Sequence, residues 1–370
     1  MSKYQEHLDR VKAAVALEPV DRVPVMQSGS ACNAAFCGKT LQEYCDDPVV
    51  NTDCNLAAAE MRGEVDGTQL TSFQPRNMAR MWFGRVMMPG HELPENDLWQ
   101  MAEKENVFQE DYDTVLEKGY LAFYQEAMER IGNPVGEPEV KAFSEYTPTA
   151  IARFVEAGIP CFNGGSFFTP IELFCAGRML INFYSEDLFD MPDKVEKVFD
   201  TVQKSNLEMW DKLYSSMEKK PAGVWIGGWR SSPELMSLDV FERFSWKYLV
   251  ELFDLVTSHG MIPLWHMDSN WDRAIPLFKK LPKGKSILGL DGQTDIFRAA
   301  EILRGHTCIM GDVNATMLAF GSADEVDAYC KRLLEECGPT GYIMSTGCDA
   351  PYNAKLENLQ TICESVRKYG

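Results

Sequence analysis

Positive charge is what this chain has least of: 36 Lys and Arg stand against 55 Asp and Glu, a formal net charge of -19 at pH 7. Nucleic-acid affinity comes from Lys and Arg neutralising phosphates, so a polyanion-binding role is disfavoured. The acidic excess reads as a solvated surface, with room for an acidic face that steers a basic partner. No run approaches the roughly 18 apolar residues of a membrane span, and Met1 to Arg10 is charged and has no apolar signal-peptide core. No membrane role is expected.

Phosphate loops are missing too: Gly164-Gly165 and Gly227-Gly228 match neither the Rossmann nor the Walker spacing. Histidine is scarce, at five residues, and His7, His91, His259 and His306 show no ligand spacing. No internal repeat or low-complexity segment is visible. The eleven cysteines are odd in number, scattered and partly set in apolar segments, so they form no disulfide framework. A reducing, cytoplasmic location is expected.

What is present is an ordinary globular composition, 45% hydrophobic and 25% charged over 370 residues. That length fits one large α/β unit. Short apolar runs alternate with helical periodicity. Candidate strands are Arg22 to Gln27, Gly67 to Ser72, Ile159 to Gly164, Ala222 to Gly227, Met261 to His266, Ser286 to Asp291, Thr307 to Asp312 and Gly341 to Gly347. Between them Pro192 to Lys212, Leu238 to Ser258 and Ala323 to Cys337 read as helices, the last opened by a capping box at Ser322.

Eight strands alternating with helices predict a (β/α)8 TIM barrel with an N-terminal helix, forming a single domain over residues 1–370. Residues 73–158 are expected as an insertion between strands 2 and 3 that contributes to the rim. Within it Met78 to Met88 alternates like a hairpin, Pro94 to Trp99 is turn-rich and Glu110 to Ile131 reads as a helix.

Chemistry in such a barrel sits at the C-terminal strand ends. The candidates there are Gln27 and Ser28, Ser72 and Gln74, Asn163, Trp229 and Arg230, His266 and Asp268, Asp291 and Gln293, Asp312 and Asn314, and Cys348 and Asp349. Alternation along an extended chain turns His266 and Asp268 the same way, so both can reach one ion. Cys348, in the polar turn Ser345 to Pro351, would complete a three-ligand zinc set with a fourth position open. Each also has a plain structural reading: a hydrogen-bonded histidine, a small buried thiol, and, for Asp291 and Asp312, caps for the next helix. Trp229 and Arg230 either line a pocket or form a cation and aromatic pair on a loop.

The chain resembles the uroporphyrinogen decarboxylase superfamily, and more closely its corrinoid-dependent methyltransferase branch. The markers are Glu18 to Val25, His266-Met267-Asp268-Ser269-Asn270, Gly311-Asp312-Val313-Asn314, and Thr346-Gly347-Cys348 leading into Leu356 to Leu359. True decarboxylases of this superfamily carry an arginine-rich segment after the first strand. Here that place reads Gln27-Ser28-Gly29-Ser30-Ala31-Cys32-Asn33, which would hold a polycarboxylate poorly.

The zinc methyltransferases typically use His-x-Cys and a distant Cys. His266 and Cys348 match the first and last ligands, while Asp268 takes the middle place. A carboxylate is harder than a thiolate and leaves the ion more Lewis acidic. The resemblance therefore implies a demethylating component that moves a methyl group from a small methylated donor, such as a methyl ether, to the cobalt of a corrinoid protein. Zn2+ held by His266, Asp268 and Cys348 is the expected cofactor, and the corrinoid comes with the partner. His266, Cys348 and Asp312 are the catalytic candidates, and Gln27, Trp229, Arg230, Asp291 and Asn314 the substrate-binding ones. The exposed barrel helices leave room for a homodimer. The rival readings are a lyase acting on a non-porphyrin substrate without metal, and a non-catalytic ligand-binding barrel.

Overall fold

In the computed structural model, which describes residues 1–102 and 104–370, the strands are short and nearly all parallel. They are β1 (Met26–Gln27), β2 (Gly67–Thr68), β3 (Val86–Met87), β4 (Gln100–Met101), β5 (Ser166–Phe168), β6 (Gly223–Gly228), β7 (Ile262–Met267), β8 (Ile287–Leu290), β9 (Cys308–Met310) and β10 (Tyr342–Ile343). A parallel sheet runs in the order β10-β9-β8-β7-β6-β5, and β1 pairs with β2 in parallel. Single parallel bridges, Val25 to Met344 and Thr68 to Cys161, link the β1-β2 pair to β10 on one side and to the segment before β5 on the other. Hydrogen bonds from Met26 N to Met344 O and from Phe162 N to Thr68 O, each 2.9 Å, carry these links.

Alternation along the strands divides the core. On one face Met26, Phe162, Leu264, Ile287, Cys308, Met310 and Ile343 pack together, joined by Leu8, Val11, Ala14 and Val15 of the N-terminal helix Lys3–Val15. On the other face Val25, Trp265, Leu288, Ile309 and Met344 pack in a larger cluster with helical residues such as Phe199, Leu249 and Leu333. Fully buried Asp66, just before β2, receives Arg10 of the first helix and Arg22 of the segment entering β1. The Glu18 to Val25 block is thus a tie at the amino ends of the strands.

The expected second and third strands are shorter than their apolar runs. After Thr68 the hydroxyl Oγ1 donates to Leu70 O at 2.7 Å and accepts from Leu70 N at 3.1 Å, a local turn that ends the ladder. The Ile159 to Gly164 run contributes the Cys161 bridge and a hydrogen bond from Gly164 N to Gly223 O at 2.9 Å, and the chain resumes as β5 beyond Gly164 and Gly165, residues that weaken a strand.

The 73–158 stretch also differs in detail. Met78 to Met88 is not a hairpin: Ala79–Trp82 is helical, and β3 pairs antiparallel with β4. The expected Glu110 to Ile131 helix is two, Gln109–Lys118 and Tyr120–Arg130, parted at Gly119, whose φ of +88° a side-chain-bearing residue would adopt only with strain. Pro138–Glu156 is a long helix tied by Arg153 to Asp53, at 2.6 Å, in the helix Pro48–Arg62.

Candidate metal centre

His266 leaves β7 one residue before the strand ends, with the even-numbered residues that form the inner face. Its ladder partner is Gly227 of β6. A Cβ at 227 would lie 2.5 Å from the Trp225 ring and 2.7 Å from the Phe168 ring, so glycine leaves the space those rings fill. Trp225 packs against the imidazole, with centroids 5.1 Å apart and planes at 34°.

Cys348 arrives on the turn after β10. Gly347 N donates to Val313 O at 3.0 Å, Thr346 Oγ1 donates to Cys348 O at 2.7 Å, and Asp349 accepts from Ser28 Oγ at 3.2 Å and Ser30 Oγ at 3.1 Å. A Cβ on Gly347 would stand 2.6 Å from Asp291 O, so only glycine lets this turn close onto the end of β8.

These elements bring the three expected ligands together. His266 Nε2 lies 3.3 Å from Cys348 Sγ and 3.4 Å from Asp268 Oδ1. Ligand atoms of all three lie within 4.8 Å of one another. Zinc bonds of about 2.0–2.2 Å to N and O and about 2.3 Å to S, at tetrahedral angles, separate N from O by roughly 3.4 Å and N from S by roughly 3.6 Å. The donor set and its spacing therefore fit one tetrahedral ion with a position left over.

The charges are coupled. Burial opposes a charged His266, but Asp268 and Cys348 beside it hold its pKa well above the usual value. Burial likewise opposes a charged Asp268, yet His266 holds that carboxyl below its ordinary range. Burial pushes the Cys348 thiol up, and His266 offsets part of the rise. Such a trio exchanges its protons for a cation readily, because a metal stabilises the thiolate and carboxylate that burial penalises.

The other candidates divide. Asp291 Oδ2 accepts from Ser269 N at 2.9 Å, which ties the turn after His266 to β8, and Oδ1 accepts from Gln293 N at 2.8 Å. Burial raises its pKa, and Asp268 adds to the rise. Asp312 is buried at the end of β9, its Oδ1 accepting from Tyr329 O–H at 2.7 Å, and burial pushes its pKa up to about 6. Asn314 caps the helix Ala315–Phe320, accepting from Met317 N at 2.9 Å. Gln27 turns away from the trio, donating from Nε2 to Asn55 O on the helix Pro48–Arg62 at 3.4 Å.

Trp229 and Arg230 follow β6. The Arg230 guanidinium stacks 3.9 Å from the Trp229 ring, and the two line a cavity of about 520 Å³ with Trp82, Met101 and Met179. None of the three metal-ligand candidates lines that cavity. Their loop is held by buried Glu172, whose Oε1 accepts from Trp229 N at 2.6 Å and Ser231 N at 2.8 Å.

Sequence reasoning missed Gln69, whose Oε1 lies 3.3 Å from His266 Nδ1. The run to Ser72 put the rim of the second strand too far along. It also missed Trp225, which read as one apolar residue among several.

A model of the uroporphyrinogen decarboxylase (URO-D) family matches residues 156–369, more than half of the chain and all three ligand candidates. The chain belongs to this family. A solved structure of a methyltransferase from Methanosarcina mazei shares the fold, with a TM-score of 0.68, 18% sequence identity and coverage of 98% of this chain and 98% of that one. Dispersin B is a weaker likeness, at TM-score 0.35 and 13% identity over 61% of this chain and 76% of its own. No curated protein sequence matches the chain. Family membership accords with the α/β fold and its parallel sheet.

Proposed function

We propose that this URO-D family member is a zinc-dependent methyltransferase that takes a methyl group from a small methylated donor, such as a methyl ether, and passes it to the corrinoid of a partner protein. The observation that carries the reading is the convergence of His266 Nε2, Asp268 Oδ1 and Cys348 Sγ at the carboxyl ends of β7 and β10. The likeness in fold to a solved methyltransferase supports it. In this reading the strand pairings, with their two bridging links, close a (β/α)8 barrel that is a single domain, and the partner docks over its carboxyl rim. Residues 73–158 form an insertion that shapes the entrance. A cytoplasmic location goes with it.

Zn2+, when bound, would supply Lewis acidity toward the heteroatom that bears the methyl group. The chain does the rest. Trp225 packs against the His266 imidazole with Phe168 behind it, and the turn fixed by Gly347 and Asp349 presents the thiol. Asp291, tied to the turn after His266 and with its pKa raised by burial, is the group assigned to hold a proton for the departing heteroatom, and Asp312, whose Oδ1 accepts from Tyr329 O–H, is assigned to orient the donor. Asn314 Oδ1 is taken up by its helix cap and Gln27 Nε2 by Asn55 O, so neither is assigned a direct part. A polycarboxylate would find little to hold it after β1: Arg62 reaches that segment, but it is buried and donates to Ser28 O at 2.7 Å and Asn33 Oδ1 at 2.8 Å.

The test follows visible absorbance of reduced cobalamin incubated with zinc-loaded protein and a panel of small methyl ethers. Methylation by the wild type, lost in Cys348→Ala with the circular dichroism unchanged, is expected. Equal methylation in Cys348→Ala, or release of CO2 with no methyl transfer, would overturn the reading in favour of a metal-free lyase.

A further inference from the structure

We infer that Gln69 is the positioning residue of the metal centre, fixing the ring orientation of His266 and the nitrogen it offers to the ion. The inference rests on the metal-site reading above, and one of its readouts is independent of metal.

Gln69 is held firmly. It is 5% exposed, and its backbone N donates to Gln27 O at 3.1 Å, so the residue is anchored beside β1 before its side chain begins. Gln69 shares a strand face with Gly67, whose neighbours are Met26 and Phe162 of the inner cluster. From there Oε1 reaches His266 Nδ1 at 3.3 Å, a contact between residues 197 apart in sequence. β2 and β7 are not ladder neighbours: the Cys161 segment and β6 lie between them in the pairing order. The contact therefore crosses the inner face and does not follow from strand pairing. It is the hydrogen-bond partner of Nδ1 among the described residues.

An amide oxygen only accepts, so Nδ1 must carry the hydrogen and Nε2 is left to face Asp268 and Cys348. Trp225 against the ring limits its tilt, and the Gln69 hydrogen bond limits rotation about the Cβ–Cγ bond. Metal-ligating histidines usually have such a partner at the second nitrogen, and losing it typically costs about 10–100-fold in metal affinity. The partner here is a neutral amide. It orients the imidazole without making it as electron-rich as a carboxylate would, which leaves a bound ion more Lewis acidic, in the same direction as the hard Asp268 ligand.

The experiment measures zinc affinity by competition with a chromophoric chelator, and the imidazole 15N shifts of His266 in metal-free protein, for wild type, Gln69→Leu and Gln69→Glu. Gln69→Leu should bind zinc about 10–100-fold more weakly and lose the hydrogen-bonded Nδ1–H signature. Gln69→Glu should restore both, binding at least as tightly as wild type. Wild-type affinity together with unchanged 15N shifts in Gln69→Leu would overturn the inference, as would Gln69→Glu binding as weakly as Gln69→Leu. Should Gln69→Leu fail to fold, Gln69→Asn, too short to reach Nδ1, takes its place with the same expectations. A wild type that takes no zinc would sink the metal reading instead, and the 15N comparison would still decide whether Gln69 sets the ring.

Discussion

Asp312→Asn should stabilise the protein, and by an amount that depends on pH. The carboxyl is buried at the end of β9, and burial, the largest influence, lifts its pKa from 3.8 to about 6 despite the hydrogen bond from Tyr329. Below about pH 4 the group is protonated in both folded and unfolded chains and the burial costs no ionisation energy. Between about 4 and 6 the unfolded chain releases its proton while the folded one keeps it, so stability falls as pH rises. Above about 6 the loss is complete. At roughly 1.4 kcal/mol per pH unit, the rise from 3.8 to about 6 corresponds to about 3 kcal/mol. Asparagine keeps an oxygen for Tyr329 and never ionises. Urea denaturation of both proteins at pH 4.5, 6 and 8 reads the difference, in which the titration of groups not coupled to Asp312 cancels. The variant should gain relative to wild type as pH rises, by up to about 3 kcal/mol at pH 8. A difference that is flat with pH, or that shrinks, would refute the reasoning.

Two further outcomes follow from the packing. Asp66→Ala leaves the Arg10 and Arg22 guanidinium groups without their shared buried partner, and also removes the acceptor of Val25 N at 2.8 Å. It should cost about 3–5 kcal/mol in urea denaturation and leave zinc content unchanged, since the tie lies at the amino ends of the strands. Gly227→Val drives a side chain into the Trp225 and Phe168 rings. Overpacking of this kind should cost about 1–3 kcal/mol and shift the tryptophan fluorescence; an unchanged spectrum and stability would mean the rings yield freely.

β6 to β9 were legible because each apolar run is bounded by glycine or polar turns and is long enough to show, whereas β10 keeps only Tyr342–Ile343 of the expected Gly341 to Gly347. β6, β7, β8 and β9 fall within one or two residues of the apolar runs that predict them. The first half was harder. Its strands are only two or three residues long, and what stops them is side-chain chemistry such as the Thr68 hydroxyl turn, which periodicity does not register. The same difficulty hid Gln69. A strand judged to end at Ser72 sends attention three residues past the side chain that touches His266.

The convergence of His266, Asp268 and Cys348 was readable for a chemical reason, since few residue types other than these offer metal-binding donors at strand ends. Asn314 and Asp291 took the capping and turn-tying contacts that Asn and Asp provide wherever a strand hands over to a helix. Gln27 stands one residue from Met26 of the inner cluster, and that difference along β1 turns its amide to the outer helices.

The most direct measurement is the metal content of the purified protein, by elemental analysis, for wild type and for His266→Ala, Asp268→Ala and Cys348→Ala. About one zinc per chain in the wild type, reduced in all three variants, is the predicted result. A wild type that takes up no zinc after reconstitution, or variants that hold it as the wild type does, would contradict the assignment of this centre.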